Sequence, residues 1–366
     1  MKKNLLNTFL FLFLLAILGF LLYYFLPLKK ENNLKPIKTT TTSNKTKPSK
    51  ETRTEPKQEE TSDSLDIQEL FDGVEPKNYL FTLVATGDYI PARSVNYKSI
   101  VYKDFTWAVK DFAPLLNSAD IALINLEAPL LKNCPITNEG FTFCGTEKHL
   151  EGLAFAGIDI ACMANNHASN YGASGLRETK TLLSKENIQV CGTIESPIAY
   201  LNIKNKKISF VAFNDIGSFS GVLPANDNFI KRYISLAKET SDIVIVSFHW
   251  GTEYTYSPTE RQIDLVHKAV DLGASLVVGN HPHWIQPVEK YKDSLIVYAH
   301  GNFIFDQMWS EETKQGIVGK YFFNSQGKIV DATFYPVYIK DYGKATIGDS
   351  SILNIFKNIT LKFNNL

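Results

Sequence analysis

The sequence lacks net charge, internal repeats and an evident basic patch, and these absences exclude some classes of function. Its 366 residues carry 38 basic and 38 acidic side chains, so the formal net charge is zero. Proteins that bind nucleic acids generally present a basic patch or a basic stripe with interleaved aromatic residues, and neither is evident here. We therefore expect no nucleic-acid partner. The length and the 44% hydrophobic content are sufficient for one large globular domain with appended segments.

The first 30 residues contain a long apolar run. Leu5 to Leu28 is interrupted by only a few less apolar residues. At about 1.5 Å per residue, roughly 18 to 22 residues cross the hydrocarbon layer of a bilayer. Bulky Tyr23 and Tyr24 and then lysines follow the run, where a cleaved signal peptide would have a small-x-small site. We therefore predict an uncleaved membrane anchor over residues 1–30.

Residues 31–77 are rich in Thr, Lys and Glu and have almost no apolar residue before Leu65. Such a segment buries too little surface to offset its conformational entropy, so we predict a disordered linker. The remaining residues, 78–366, form the predicted folded domain.

Cysteine is scarce, and its placement bears on membrane orientation. Cys134 and Cys144 bracket a short loop, and closing a ring of that size contributes roughly 2–3 kcal/mol. Because disulfides persist outside the cytoplasm, we predict that the N-terminus lies inside and the domain is extracytoplasmic. Lysines flank the apolar run on both sides, so charge alone does not settle the orientation. Cys162 and Cys191 lie in apolar runs and are predicted to be buried free thiols.

From Tyr79 onward, short apolar runs alternate with polar stretches of helical length. This alternation is typical of β-α-β units with a largely parallel sheet system, and the last strands indicate an antiparallel addition. The predicted strands are Leu80–Ala85, Ile121–Asn125, Ile160–Ala164, Lys207–Phe213, Ile243–His249, Leu276–Val278, Leu295–Ala299, Gly316–Phe323 and Lys328–Tyr335. The predicted helices are Phe105–Asn117, Glu147–Ala156, Gly172–Glu186, Phe229–Thr240 and Pro258–Leu272.

Residues that bind metals follow these strands directly. His281 and His283 stand at alternate positions behind a strand-like run, where side chains point the same way, and imidazole is a common metal ligand. Each such residue alone has a simpler explanation as a turn residue or helix cap. Open α/β sheets, however, bind ligands beyond the carboxyl ends of their strands. The shared position therefore predicts a metal or phosphate-type site. The other residues in this position are Asp88, Glu127, Asn166, His167 and His249.

Six motifs occur in order over about residues 80–340. They are Gly87-Asp88-x-x-x-x-Arg93, Asn125-Leu126-Glu127-x-Pro129, Ala164-Asn165-Asn166-His167-Ala168, His249-Trp250-Gly251-x-Glu253-Tyr254, His281-Pro282-His283-x-x-Gln286 and Gly301-Asn302-Phe303-x-Phe305-Asp306-Gln307. Together these motifs resemble the CapA family, the poly-γ-glutamate capsule biosynthesis proteins. That family resembles the calcineurin-like metallophosphoesterases, which implies a four-layer α/β/β/α sandwich.

The resemblance also implies roles for individual residues around one or two divalent ions, with Zn, Mn and Fe as candidates. The implied metal ligands are Asp88, Glu127 as the bridging acid, Asn166, His249, His281 and His283. His167 matches a histidine that protonates a leaving group, and Arg93 is expected to grip an anion. The residues expected to bind substrate are Asn125, Asn165, Trp250, Glu253, Asn302 and Asp306.

Two departures from the phosphoesterase pattern concern the metals. Ile90 stands where the first motif of the phosphoesterases has a histidine, and the bridging acid is Glu127 where they have an aspartate. A first site with fewer ligands would hold its ion less tightly, although catalytic zinc needs only about three protein ligands.

Three functions remain open from the sequence. The first is a metal-dependent hydrolase of phosphoester or amide bonds. The second is a scaffold for synthesis and export that binds an anionic polymer such as poly-γ-glutamate beside other capsule-synthesis membrane proteins. In that case Trp250, Tyr254 and Trp284 would form apolar walls. The third is a polar cluster that only rigidifies the sheet edge.

Overall fold

The computed structural model describes residues 65–66 and 78–364. The predicted anchor over residues 1–30 and the predicted linker over residues 31–77, apart from residues 65–66, lie outside the described residues. Within the described ranges, no helix is long and apolar enough to cross a bilayer.

Strands and helices alternate along most of the described chain. The strands are β1 (Leu65–Asp66), β2 (Phe81–Tyr89), β3 (Ile121–Leu126), β4 (Leu130–Leu131), β5 (Gly145–Thr146), β6 (Ile160–Cys162), β7 (Gln189–Cys191), β8 (Ile198–Ile203), β9 (Lys206–Asn214), β10 (Ile243–His249), β11 (Leu276–Asn280), β12 (Val288–Tyr291), β13 (Ser294–Val297), β14 (Asn302–Ile304), β15 (Gln315–Phe323), β16 (Ile329–Lys340) and β17 (Lys344–Ile347). The α-helices are α1 (Ser94–Tyr102), α2 (Ala113–Ser118), α3 (Leu150–Phe155), α4 (Gly172–Lys185), α5 (Asp227–Thr240), α6 (Glu260–Asp271) and α7 (Ser350–Asn364).

The strands form a mixed α/β fold with two large sheets and one small sheet, β4–β5. In the first large sheet, β2, β3, β6 and β7 are parallel, while β15, β16 and β17 are added antiparallel. In the second, β9, β10, β11 and β13 are parallel, with β8 and β12 as antiparallel edges. The predicted parallel sheet system with a late antiparallel addition is confirmed.

Alternate residues of the second sheet belong to different hydrophobic cores. Phe210 and Ile245 pack in a cluster that also contains the first sheet, including Leu83. Their neighbours Val211 and Val244 pack in a separate cluster with α5 and α6. Side chains alternate between the two faces of a strand, so both faces of this sheet are covered. This double burial explains why its strands are continuous apolar runs in the sequence.

The two helices over the second sheet begin at side chains that bind their first free N–H groups. The carboxamide of Asn226 accepts from the N–H of Phe229 at 3.0 Å. Thr259 and Gln262 form a reciprocal capping box at the start of α6. Such caps stabilise a helix by about 1 kcal/mol each. The predicted helices in both places are confirmed, with boundaries that differ by one or two residues.

The predicted helix Phe105–Asn117 is wrong over its first half. The chain forms turns there, and α2 begins only at Ala113. Pro114 has no N–H to donate and fits the first turn of a helix, so a helix starts at this point more easily than it continues through it. The helices α1 and α7 were not predicted, although Ile352, Leu353 and Phe356 of α7 have the spacing of one buried helical face.

The cysteine predictions are confirmed. Cys134 and Cys144 form a disulfide that closes an exposed loop. Cys162 and Cys191 are free, buried and opposite one another on β6 and β7, with their sulfurs 3.4 Å apart.

His149 makes the stability of this fold sensitive to acid. Its side chain is buried beside Asn96, with Nε2 3.1 Å from the carboxamide oxygen, and burial lowers its pKa to about 3. An unfolded histidine titrates near 6.5. Between those values the unfolded chain binds a proton that the folded chain does not, so stability is full above about pH 6.5 and falls as the pH drops towards 3.

Replacing His149 with glutamine should therefore flatten the pH dependence of stability. The amide of H149Q can still donate to Asn96, but it does not titrate. Between pH 7 and pH 5, wild type should lose about 2 kcal/mol more unfolding free energy than H149Q, as measured by urea denaturation. Equal losses in the two proteins would show that His149 does not titrate as its burial requires.

Candidate metal centre

The carboxyl ends of strands from both large sheets meet at one cluster of metal-ligating side chains. Asp88 is the penultimate residue of β2, and Glu127 follows β3 directly. His249 is the last residue of β10, opposite Asn280 at the end of β11. The predicted convergence of these strand ends is therefore observed in the geometry.

A close backbone contact sets the position of Asp88. The pairing of β2 with β3 is irregular between Ala85 and Asp88, and the N–H of Asp88 donates to the carbonyl of Gly301 at 3.0 Å. A Cβ on Gly87 would lie 2.0 Å from that same carbonyl oxygen. Only glycine at position 87 allows the two backbones to approach in this way.

The two histidines behind β11 converge by a different route from the one predicted. The prediction relied on the alternation of side chains along a strand, but β11 ends at Asn280. His281 and His283 have positive φ angles of 97° and 57°. Such conformations cost on the order of 1–3 kcal/mol each for a residue with a side chain, and they concentrate at functional sites. The turn, and not the strand, brings these imidazoles together.

Asp88 and His283 form a buried ion pair. Oδ2 of Asp88 lies 3.1 Å from Nδ1 of His283, and Oδ1 accepts from Asn125 at 2.8 Å. Burial alone would raise the pKa of Asp88, but the hydrogen bond and charge of His283 lower it to about 2. Burial alone would likewise lower the pKa of His283, but Asp88 raises it to about 9. A metal that used this imidazole would have to displace its proton.

Glu127 is fully buried, and neither of its carboxylate oxygens has a hydrogen-bond partner among the described residues. Its nearest cationic candidate is His249, with Nε2 3.4 Å from Oε1. Burial and the neighbouring charge of Asp88 raise the pKa of Glu127 well above its usual range. An unpartnered buried carboxylate is strongly unfavourable unless a cation or a proton neutralises it.

Two further imidazoles are poised as neutral ligands. Nε2 of His249 lies 2.9 Å from the carboxamide oxygen of Asn166, and its ring centroid is 4.8 Å from that of His281. Burial lowers the pKa of His249 to about 3. Burial and the charges of His249 and His283 lower the pKa of His281 to about 2. Nδ1 of His281 is buried and has no hydrogen-bond partner among the described residues.

The donor set fits divalent ions. Two groups of three residues have ligand atoms within 4.8 Å of one another: Asp88, Glu127 and His249, and Glu127, His281 and His283. Glu127 belongs to both groups, as a bridging acid would. Carboxylates and imidazoles are the ligands that zinc and other transition metals use. The orphaned atoms of Glu127 and His281 are those that a bound ion would satisfy.

A family model described as bacterial capsule synthesis protein PGA_cap matches residues 82–307, which include every residue of this cluster. The chain belongs to this family. The capsule biosynthesis protein CapA of Bacillus anthracis is 30% identical over 276 residues, which cover 69% of this chain and 66% of that protein. The PGA biosynthesis protein CapA of Bacillus subtilis (strain 168) is 31% identical over 221 residues, covering 56% of this chain and 58% of that protein. The chain thus spans less than two thirds of the length of these relatives.

Similarity to solved structures is looser. A crystal structure described as a novel phosphatase from Mycoplasma pneumoniae aligns with a TM-score of 0.48 and 15% sequence identity, over 75% of this chain and 96% of that one.

The family motif residue His167 stands at the rim of the cluster. It is partly exposed and belongs to neither group of candidate ligands. Nδ1 lies 3.0 Å from the carboxamide oxygen of Asn170, and the ring stacks on Phe143 with centroids 4.0 Å apart. Burial lowers the pKa of His167 to about 4, so the ring is neutral at pH 7 in the free protein.

Arg93 is bound within the protein and does not present a free fork to an anion. Its Nε donates to Oδ1 of Asp306 at 3.1 Å, Nη2 pairs with the same oxygen, and Nη1 donates to the carbonyl of Gly140 at 3.3 Å. The other Asp306 oxygen accepts from the N–H of Ser94. Arg93 was expected to grip an anion and Asp306 to bind substrate, whereas here the two side chains bind each other.

Trp250 was expected to bind substrate and to form a cleft wall, and this is wrong. Its side chain is fully buried in the core between the second sheet and its helices, with Nε1 donating to the carbonyl of Tyr298 at 2.9 Å. The residue after a strand end faces away from the side chain before it, so Trp250 points away from His249.

Tyr254, by contrast, is 38% exposed with its ring 6.3 Å from that of His283, and lies at the rim. Trp284 is half-buried against Tyr256.

Three asparagines predicted to bind substrate are buried and hold other site residues in place. Asn125 contacts Asp88 and His249, while Asn165 donates to the side chain of Asn125 and to the backbone of Leu126. Asn302 lies 2.9 Å from Nδ1 of His283. These are the contacts of residues that orient ligands. Glu253 is exposed, and its charge acts on Glu127, His249 and His283.

Ile90, at the position of the missing histidine, is fully buried in a small apolar cluster with Ala92, Ala128, Phe143 and Phe305. This cluster supports the rings on which the Arg93 guanidinium lies, 4.8 Å and 5.0 Å from their centroids. Where the phosphoesterases have a histidine ligand, this chain thus has an isoleucine that packs against apolar side chains beneath the rim of the metal cluster.

The sequence interpretation missed three residues of the site. Asn280 is buried, and both polar atoms of its side chain lack hydrogen-bond partners among the described residues. Phe143 and Asn170 contact His167. Asn280 had a signal, because it directly follows the apolar strand-like run and directly precedes His281 and His283. Phe143 had none, since it contacts His167 from a segment distant in the sequence. Asn170 stands only three residues after His167 but outside the six motifs.

Replacing Glu127 with glutamine should remove metal binding without weakening the metal-free fold. A neutral amide is easier to bury than an unpartnered carboxylate, but it cannot bridge two ions. Wild type should gain about 2.7 kcal/mol of unfolding free energy at a metal concentration one hundred times its dissociation constant, and E127Q should gain almost none.

The measurement is urea denaturation with EDTA or with added Zn²⁺ or Mn²⁺, together with elemental analysis. The matched control is E289Q, since Glu289 pairs with His267 and Tyr298 away from the cluster. E289Q should keep the metal response of wild type. Full metal content in E127Q would refute the bridging role of Glu127.

Proposed function

We propose that this chain is a membrane-anchored, extracytoplasmic protein of capsular poly-γ-glutamate synthesis and export that carries a metal-dependent hydrolase site. Family membership and the names of the two Bacillus proteins support the role in capsule synthesis. The observation that carries the hydrolase assignment is Glu127, a buried carboxylate without a hydrogen-bond partner that is common to both groups of candidate ligands.

The proposal includes a metallophosphoesterase-like architecture. In this description the two large sheets form the inner layers of a four-layer α/β/β/α sandwich, and helices such as α5 and α6 form outer layers. The shared core of the two sheets and the separate core under α5 and α6 support it.

We assign the metal ligands to the residues predicted from the sequence: Asp88, Glu127, Asn166, His249, His281 and His283. A divalent ion held there supplies a bound water of lowered pKa and polarises a phosphoryl or amide carbonyl oxygen. Asp88 is kept ionised by His283, which suits a metal ligand at neutral pH. Asn125 fixes the orientation of Asp88 and His249. His167, at the rim, exchanges a proton with the leaving group.

One observation favours a second function, a non-catalytic scaffold that binds an anionic polymer. Ile90 supplies no ligand at a position where a dinuclear phosphoesterase has one, and it is locked into an apolar cluster. A protein of this kind would use a weakly held ion, or one ion alone, to bind carboxylates of the polymer. The two functions differ in whether a bond is broken.

The purified full-length chain, loaded with Zn²⁺, Mn²⁺ or Fe²⁺, distinguishes these functions. The hydrolase predicts turnover of bis(p-nitrophenyl) phosphate or shortening of poly-γ-glutamate on a gel. H281A should lower kcat by about a hundredfold or more, since even loss of an outer-shell partner costs up to that factor. H267A is the control, because His267 is half-buried beside Glu289 and outside the cluster. Polymer binding without turnover under all three metals would establish the scaffold instead.

Membrane anchorage is a separate part of the proposal, supported by the apolar run of residues 5–28 and by the Cys134–Cys144 disulfide, a bond that persists outside the cytoplasm. We expect the membrane, an anionic polymer and other capsule-synthesis membrane proteins as partners.

The proposed topology predicts that protease added to intact cells releases the folded domain by cutting within residues 31–77. The domain should appear in the supernatant as a fragment that retains the disulfide. Protection in intact cells with cleavage only after lysis would reverse the orientation. A cytoplasmic protein examined in the same samples controls for lysis.

A further inference from the structure

Asn170 links the rim histidine to the disulfide-closed loop, although none of the six motifs includes it. Its carboxamide oxygen accepts from the backbone N–H of Phe143 at 2.7 Å. The same oxygen lies 3.0 Å from Nδ1 of His167. A turn in which the N–H of Asn170 donates to the carbonyl of His167 at 3.1 Å brings the carboxamide back beneath the ring.

These two contacts determine where His167 carries its proton. A backbone N–H can only donate, so the atom of Asn170 that faces Phe143 must be the oxygen and not the nitrogen of the carboxamide. That oxygen can only accept, so Nδ1 of His167 must be the donor in their contact. A neutral His167 therefore has its hydrogen on Nδ1 and its lone pair on Nε2. Without this contact the tautomer would be free to change.

Phe143 fixes the plane of the same ring. The two rings stack with centroids 4.0 Å apart and an interplanar angle of 24°. Phe143 is buried, whereas Phe141, two residues earlier in the same loop, is 76% exposed. Most of this loop is therefore not held by burial. Its disulfide closes directly beside Phe143, at Cys144.

Arg93 also contacts this loop. Its guanidinium carbon lies 4.8 Å from the centroid of the Phe143 ring, and its Nη1 donates to the carbonyl of Gly140. Asp306 in turn fixes Arg93 through Nε and Nη2. The Arg93–Asp306 pair thus supports the loop that carries Phe143.

We propose that Asn170 and Phe143 are positioning residues for His167 and that the Cys134–Cys144 disulfide keeps them in place. Together they present Nε2 of His167 to the open side of the site as the atom that exchanges a proton. The part of this inference that concerns substrate rests on the proposed hydrolase function. The tautomer and the ring plane do not, and they can be measured without turnover.

The test is the ¹⁵N NMR spectrum of the histidine rings in the full-length chain, with His167 assigned by its loss in H167Q. Protonated and unprotonated ring nitrogens have well-separated shifts. Wild type should show His167 with hydrogen on Nδ1. N170D, which keeps an accepting oxygen, should show the same tautomer. N170A should shift the ratio towards the Nε2–H form by about fivefold or more, the equivalent of one neutral hydrogen bond.

The double variant C134A/C144A tests the loop, and it should shift the tautomer ratio in the same direction as N170A. N228A is the control, since Asn228 is an exposed residue of α5, and it should leave the spectrum of His167 unchanged. Metal content should remain that of wild type in every variant, because none of the changed residues is a candidate ligand. If phosphodiester turnover is present, N170A should lower kcat and leave KM nearly unchanged, most for substrates with a basic leaving group.

An N170A protein with the tautomer ratio of wild type would overturn the proposal. A C134A/C144A protein with that ratio would overturn the role of the disulfide. If wild type has the Nδ1–H tautomer but no hydrolase activity with any metal, the proposed function fails and the positioning of the ring stands. The two failures are therefore separable.

Discussion

The Glu127 carboxylate is the group on which the rest of the site depends. It is fully buried, and no described residue donates a hydrogen bond to either oxygen. A carboxylate in this position destabilises the fold unless it binds a proton or a cation, because no nearby dipole replaces its lost hydration. The raised pKa of Glu127 and the proton on His283 are the responses of the metal-free cluster to that constraint.

The same constraint explains why polar and strained residues gather around this edge of the sheets. Asn125 and Asn165 use their amides to hold carboxylate and imidazole groups in position, where an apolar side chain would pack better but orient nothing. His281 and His283 adopt left-handed conformations that the surrounding structure must stabilise. These residues lower the local stability of the fold, but they hold the candidate metal ligands in a fixed arrangement. Such a compromise is typical of functional sites.

Much of the fold was predictable because a buried strand or helix leaves a pattern of apolar residues in the sequence. The strand Ile243–His249 was predicted with its observed boundaries, since a strand covered on both faces is a continuous apolar run. The helix predicted at Gly172–Glu186 is observed at Gly172–Lys185, with its apolar residues on one buried face. The predicted helix Phe105–Asn117 failed over its first half because Pro114 favours a helix start at that point, which a pattern of apolar residues does not record. The direction and order of the strands in each sheet follow from pairing over long distances, and only their general type was predictable.

The sequence by itself determined which residue types stand at the ends of strands, and therefore which side chains are candidate ligands. It also determined the family, through motifs that keep their order along residues 82–307. Only the tertiary structure decided how those residues are used. Arg93 and Asp306 pair with each other, Trp250 belongs to the core, and Asn170 reaches His167 and the disulfide-closed loop together. The position of a residue at the end of a strand determines where its side chain is attached. Its partner depends on turns and sheet packing that bring distant segments together, and no local pattern encodes those contacts.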